Sequence, residues 1–420
     1  MSPSSDSERQ QTLTPTPIPT PAAPAPQDDG PLGLPRMFWV LWSGMLLNRI
    51  GGSVFFLLAL YLTGERGLSS ELAALVIGFY ALGGLVAGPV GGALADRVGR
   101  RVTLLVGTAC AGTLMLALGS ARTTATIVVL APLLGFFTDL CRPPLQAAVA
   151  DVVPAPQRTR AYGLIYWAVN LGFAGAASIG GALAQHSFWL LFVIDALTTF
   201  AYGTIILVAV PETRPAAPPT HPRARGYRAL LVPFGDRRLM TFVGIQLLLL
   251  LAFTQVIVAL PLDMHRHAVD TWRIGWLLGL NGVIIVVAQP LALRFVRGFG
   301  QVHWLVAGAV LTGVGLGVNA LAGGASVYAA ATFLWTLGEI GFSTAAPTLI
   351  ADLSPVDRRG AYQGMHQLAW GLATMIAPVG GSFVLDRFGG PALWLGCLAL
   401  CFGAATLHLR VTARNVGPAR

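Results

Sequence analysis

The sequence has no lysine: all 27 basic residues are arginine. Charge of either sign is scarce at 11% of residues, against about 25% in soluble domains, so a water-facing globule is excluded for most of the chain. Cysteine is rare too. Cys110, Cys141, Cys397 and Cys401 all lie inside apolar runs, with no zinc or disulfide spacing, and read as small buried hydrophobes. No G-x-S-x-G, H-E-x-x-H or phosphate loop occurs, so no enzyme chemistry and no cofactor is expected. No metal centre is expected either; the one weak hint is His265 and His267 beside Asp263 in an outer loop. The net charge is +9, but the arginines fall in short loops between apolar runs rather than on one basic face, so nucleic acid is not an expected partner. The chain does not open with a basic segment followed by an apolar one, so residues 1–36, rich in Pro, Ser and Thr, read as a disordered cytoplasmic tail and not as a signal peptide.

What is present in quantity is apolar length. Hydrophobic residues make up 55% of the 420, and mean hydropathy is +0.68. A helix needs about 20 residues to cross the hydrocarbon. Runs of that length lie near 37–62, 72–95, 102–121, 125–150, 161–184 and 188–210, then near 239–262, 274–296, 302–322, 326–350, 361–384 and 391–409. The reading is an all-α polytopic membrane protein with twelve transmembrane helices in two six-helix bundles, 37–210 and 239–409. A cytoplasmic loop, 211–238, joins them, and a short cytoplasmic tail, 410–420, ends the chain. With both termini inside, 20 arginines fall in cytoplasmic segments and 5 outside, which fixes that orientation by the positive-inside rule.

The two halves share an internal repeat. Ala150-Asp151-Val152-Val153-Pro154 recurs as Ala351-Asp352-Leu353-Ser354-Pro355, 201 residues on. Tyr162 and Gly180-Gly181 recur as Tyr362 and Gly380-Gly381, 200 residues on, after a one-residue deletion. The fourth and fifth helices are thus copied as the tenth and eleventh.

Between the second and third runs stands Gly92-Ala93-Leu94-Ala95-Asp96-Arg97-Val98-Gly99-Arg100-Arg101. A hairpin this short and this charged must sit at a water interface. The string resembles the signature loop G-x-L-a-D-r-x-G-r-[kr] of the major facilitator superfamily and meets it at every position. The resemblance implies two parallel six-helix halves related by an axis along the membrane normal, with a small-molecule substrate bound between them near midplane. It also implies a gating role for Gly92, Asp96, Arg97, Gly99 and Arg100: the cluster stabilises the outward-open state and breaks as the halves rock. Arg97, Arg100 and Arg101 are expected to pair with Asp96 and with Asp151 at the end of the fourth helix.

Charges within spans are costly and mark functional sites by default. Arg49, Asp139, Arg142 and Glu339 are read as the proton-coupling set. Asp139 and Arg142, three apart, share a helix face; Asp139 pairs with Arg142 or with Arg49, and a static lock between the first and fourth helices is the competing reading. Glu339, the repeat image of Thr138, has no base in its own span, which suits a proton or a cationic substrate. Trp335 lies one turn before it, as a cation-facing aromatic or a lipid-facing one. Asn48, Tyr166, Asn170, Gln246, Gln255, Asn281, Gln289 and His366 are candidate path-lining residues or helix ties.

Asp139-x-x-Arg142-Pro143-Pro144 with a tenth-helix glutamate looks similar to a subset of bacterial multidrug exporters. Two patterns of the drug/proton antiporter branch are departed from: Ala131 stands where R-x-x-x-G needs arginine before Gly135, and Ala176-Ala177 replace a Gly-Pro between Gly172 and Gly180. The expected function is proton-coupled efflux of hydrophobic or cationic small molecules, by a monomer in the bacterial cytoplasmic membrane whose partners are substrate, protons and lipid. Symport or uniport of a metabolite such as a sugar, or export of a peptide or lipid, stays open.

Overall fold

The computed structural model describes residues 30–415, apart from 53, 185, 215–230 and 296–299. The expected N-terminal tail up to residue 29, most of the central loop and residues 416–420 lie outside the described residues.

All described elements are helices. They are α1 (Arg36–Gly51), α2 (Val54–Leu60), α3 (Ser70–Val98), α4 (Arg100–Ser120), α5 (Thr124–Leu140), α6 (Arg142–Val152), α7 (Arg158–Ala184) and α8 (Phe188–Ala209), then α9 (Arg237–Phe253), α10 (Ala259–Arg266), α11 (Thr271–Phe295), α12 (Gln301–Val318), α13 (Ala325–Leu353) and α14 (Arg359–Asn415). Gly389, at φ +84°, divides α14 into two helical segments. Among the described residues, eight helices are long and apolar enough to cross a membrane, so the chain is an integral membrane protein.

Local chemistry sets the helix ends. Side-chain oxygens of Ser69, Thr123 and Asp236 accept backbone N–H groups in the first turns of α3, α5 and α9. The fourth apolar run is one span, Thr124–Val152, but it breaks at Cys141. Pro143 and Pro144 open α6 there, and neither has an N–H to continue the ladder. The first run breaks as well. Gly52 leaves the helical region at ψ 53°, so the single span expected over 37–62 is two helices.

Residues 239–405 share one core, around Trp394, Tyr328 and Phe342. The N-terminal half has two cores. One, around Phe38, Leu104 and Tyr162, also takes in Leu293 and Ala351 from the other half; the other surrounds Leu58, Leu118 and Phe192. The halves meet along α3 with α14, and along α7 with α11 and α13. At that seam a Cβ on Gly92 would lie 2.2 Å from the carbonyl oxygen of Gly360, so only glycine lets the backbones come this close. Large apolar side chains cover much of the outside, Val208, Val379 and Trp272 among them, which fits lipid rather than water as the surrounding medium.

Candidate substrate path and gate

At one end of the bundle the halves are fastened by charge. Asp96, at the end of α3, accepts the backbone N–H groups of Gly360 (2.9 Å) and Ala361 (2.7 Å) at the start of α14. A carboxylate there complements the helix N-terminus. Arg100 joins three groups of its own half: Asp96 at 3.0 Å, Asp151 at 3.1 Å and the carbonyl of Ala95 at 2.8 Å. Arg359 reaches Asp151 from the other half at 2.6 Å, and Arg158 reaches Asp352 in return at 2.8 Å.

Arg97 and Arg101 are placed differently from the expectation. The Arg101 guanidinium donates to the carbonyl of Leu207, and Arg97 offers its backbone carbonyl to Arg214; of the three arginines, Arg100 alone pairs with the carboxylates among the described residues. The reason is Glu212, just past α8. Its carboxylate accepts the N–H groups of Arg100 (2.9 Å) and Arg101 (3.2 Å) and so caps α4. Gly99 stands at φ +114°, and a Cβ there would lie 2.2 Å from a Glu212 oxygen. Nearby, burial alone would push the Asp236 carboxyl up. Hydrogen bonds from Tyr362 and from the N–H groups of Leu239 and Arg238 outweigh that and hold it below its ordinary value.

Deeper in the bundle, buried Glu339 on α13 accepts hydrogen bonds from the Tyr166 hydroxyl on α7 and from Asn281 on α11 (2.7 Å). Tyr166 belongs to one half and Glu339 to the other. Asn281 also donates to Thr336 at 3.1 Å. Among the described residues no cation pairs with Glu339. In the N-terminal half, Asp139 pairs with Arg142 at 2.7 Å across the Cys141 break. Arg49 lies over the Phe173 ring at 5.9 Å and forms no ion pair with Asp139.

A Major Facilitator Superfamily profile matches residues 41–267 and 242–419. The chain belongs to the Major Facilitator Superfamily. It is 26% identical over 371 residues to the uncharacterized MFS-type transporter YttB of Bacillus subtilis, a match covering 87% of this chain and 93% of that one. It is 25% identical over 384 residues to multidrug resistance protein MdtH of Aeromonas salmonicida, over 90% and 96% of the two chains. Its fold matches the crystal structure of a bacterial homologue of the iron transporter ferroportin in an outward-facing state. The TM-score is 0.77 at 18% identity, over 90% of this chain and all of that one. Members of this superfamily are transporters that carry small molecules across a membrane.

Other residues singled out from the sequence are dispersed. Trp335 does not face lipid. It is buried in the C-terminal core, edge-on to Phe253, because α12 packs closely on its backbone at Gly315. Asn48 ties α1 to Thr199, Gln255 bonds the carbonyl of Ala377 and Gln289 bonds Thr344. Asn170 donates to the carbonyl of Tyr166. Gln246 and His366 are buried. Asp263 is not a loop ligand. It is fully buried, and its Oδ2 accepts from Tyr328 and from Trp394, each at 2.8 Å. The same Tyr328 hydroxyl meets His267 Nδ1 at 3.0 Å. Among the described residues no group of three or more His, Cys, Asp and Glu could hold a metal.

Two functional candidates escaped the sequence reading. Glu212 carries no motif until the fold brings it to α4. Asp195 is a buried carboxylate inside the sixth apolar run, and the same rule that singled out Glu339 finds it.

Proposed function

We propose that the protein exports hydrophobic or cationic small molecules from bacteria in exchange for protons. The proposal includes twelve spans in two six-helix halves, residues 37–210 and 239–409, joined by a cytoplasmic loop, with both termini cytoplasmic and the monomer as the working unit. The carrying observation is Glu339: a buried carboxyl, without a paired cation among the described residues, held by a tyrosine from the opposite half. A proton arriving from outside neutralises it. Tyr166 and Asn281 are then freed from a charge-assisted bond, and the relative stability of the two postures changes. One charge crossing 100 mV is worth about 2.3 kcal/mol, a bias of roughly 50-fold on a two-state rocker. The ties from Asp96 to α14 and the Arg158 and Arg359 pairs supply the lock on the cytoplasmic side, which must break for substrate to enter there.

The N-terminal half supports a second reading. Arg49 has a buried Nε without a partner, and such a group suits a polar metabolite carried by symport. Purified protein in liposomes with an imposed pH gradient separates the two. Cationic dyes moving against the gradient support the exporter; sugars or organic acids moving with it, and no dye movement, support the symporter.

A further inference from the structure

Two polar clusters lie at different depths along α13. The first is at the end away from the charge lock, since Asp352 stands in the lock at the other end of the same helix. Tyr328, in the first turn of α13, donates to Asp263 Oδ2 at 2.8 Å and meets His267 Nδ1 at 3.0 Å. Trp394 donates to the same carboxylate oxygen at 2.8 Å. Asp263, Tyr328 and Trp394 are buried, while His267 is exposed. The second cluster is Glu339 with Tyr166 and Asn281. There Asn281 Nδ2 bridges the Glu339 carboxylate, at 2.7 Å, to the Thr336 hydroxyl, at 3.1 Å. About 16 Å of helix separates Tyr328 from Glu339, at 1.5 Å per residue.

A line of polar groups runs between the clusters. Tyr328, Thr332, Thr336 and Glu339 recur at helical spacing, which puts them on one face of α13, and all are buried. Two other threonines of this helix return their hydroxyls to its own carbonyls: Thr344 to Ile340 at 2.6 Å and Thr348 to Thr344 at 3.1 Å. Thr332 does not. Among the described residues its Oγ1 has no hydrogen-bond partner, nor has the indole Nε1 of Trp335, nor either amide atom of buried Asn319 just past α12. A Cβ on Gly315 would lie 2.3 Å from the backbone nitrogen of Trp335, and one on Gly338 would lie 2.3 Å from that of Thr312. That antiparallel register brings Asn319 level with Ala331 and Thr332. The atoms without protein partners therefore gather in the α12–α13 seam, between two clusters that are satisfied. Buried polar groups are nearly always hydrogen-bonded, to ordered water where no protein group serves, and several such atoms together supply the partners a buried water needs.

We propose that water held by Asn319, Thr332 and Trp335 joins the two clusters into a proton file, from exposed His267 to Glu339, that runs inside the C-terminal half and apart from the substrate path between the halves. A proton from solvent binds His267 Nε2 as Nδ1 passes its own to the Tyr328 oxygen, and Tyr328 gives its hydroxyl proton to Asp263 Oδ2. The proton then moves through water to Thr332 and Thr336 and ends on a Glu339 oxygen. Each group gives up one proton for each it receives, so one enters and one arrives. The other charges at the entrance are held in pairs, Arg266 with Asp386 and Arg273 with Asp270 at 3.4 Å. α12, packed along α13, carries no acid and no arginine. α14 brings Trp394 to Asp263, and α7 and α11 bring Tyr166 and Asn281 to Glu339. The inference rests on the reading of Glu339 as the coupling group, and its test tells the failure of one from the failure of the other.

The experiment uses full-length protein in lipid nanodiscs and needs no substrate. After a rapid drop from about pH 8 to about pH 5, infrared absorption follows the carbonyl band of protonated carboxyls, and the Glu339 component is the one that E339Q lacks. T332V removes one hydroxyl at nearly constant shape. H267N removes the entrance group at an exposed position. Each should reach the parent's final Glu339 band about 100-fold more slowly, the low end of what a positioned proton-transfer group contributes. A merely structural role would not slow the band while leaving its final size unchanged. The parent's rate in either variant overturns the file and leaves Glu339 standing as the coupling group. A parent without a band that E339Q removes overturns both readings. Should T332V fail to fold, the H267N rate decides.

Discussion

Arg158 and Arg359 are repeat mates, and each reaches into the other half to bind the acid that belongs to its mate. Arg158 pairs with Asp352 at 2.8 Å and Arg359 with Asp151 at 2.6 Å. Both arginines are the first residue of a long helix, α7 and α14, and each follows a three-residue 3-10 turn after a proline. The one-residue deletion in the repeat therefore falls after Arg158, and the pair is a reciprocal brace.

The brace predicts a charge-swap result. Breaking a buried pair by removing one partner costs about 3–5 kcal/mol, and Asp151 is 3% exposed. D151N should open this face, read as faster reaction of a cysteine placed at buried Ser354 with a water-soluble maleimide. At the other pair, R158D and D352R should each speed the same reaction, and the double swap of the two should return the rate toward that of the parent, with a coupling of about 0.5–3 kcal/mol in a double-mutant cycle.

Gly99 predicts a local cost. Its φ of +114° and the nearby Glu212 carboxylate leave no room for a side chain. G99A should lower the melting temperature by the equivalent of about 1–3 kcal/mol. E212A removes the clash but orphans the N–H groups of Arg100 and Arg101, so adding it to G99A should not restore stability. Full recovery in the double variant would contradict the capping role.

Trp335 and Asn281 should separate core from site. W335A empties a buried position in the C-terminal core and should cost about 3–5 kcal/mol of stability. N281A removes one acceptor bond on Glu339 and should leave the melting temperature nearly unchanged while moving the pH dependence of transport. A W335A protein as stable as the parent would return Trp335 to the path.

Asp236 predicts an acid limb. Its folded value lies below the ordinary one, so the stability it supplies is present above the ordinary carboxylate range and is lost as pH falls through the lowered value. In detergent, D236N should lose stability at neutral pH and show a flatter decline on acidification, measured by thermal unfolding at a series of pH values.

Much of this was legible from residue order. Spans follow from apolar length, and the family from ten consecutive residues at 92–101. Glu339 stood out because a carboxyl in an apolar run is costly whatever surrounds it. What packs around each side chain was not legible. Trp335 reads the same whether α12 or lipid lies beside it, and Asp263 reads as a loop acid until Tyr328 and Trp394 arrive from helices 65 and 131 residues away. Glu212 was invisible for the same reason: its role depends on a helix start 112 residues earlier. The Arg158–Asp352 pair was within reach, since adding the repeat length to Arg158 gives Arg359, and Asp151 and Asp352 were already matched.

The central claim is that the proton drives transport by neutralising Glu339. The direct measurement is E339Q in liposomes, assayed twice with a cationic dye: once for movement driven by an imposed pH gradient, and once for exchange of labelled against unlabelled dye at equal pH. The account predicts that gradient-driven movement is lost while exchange persists, because the path is intact and only the coupling is gone. Undiminished gradient-driven movement in E339Q would contradict it.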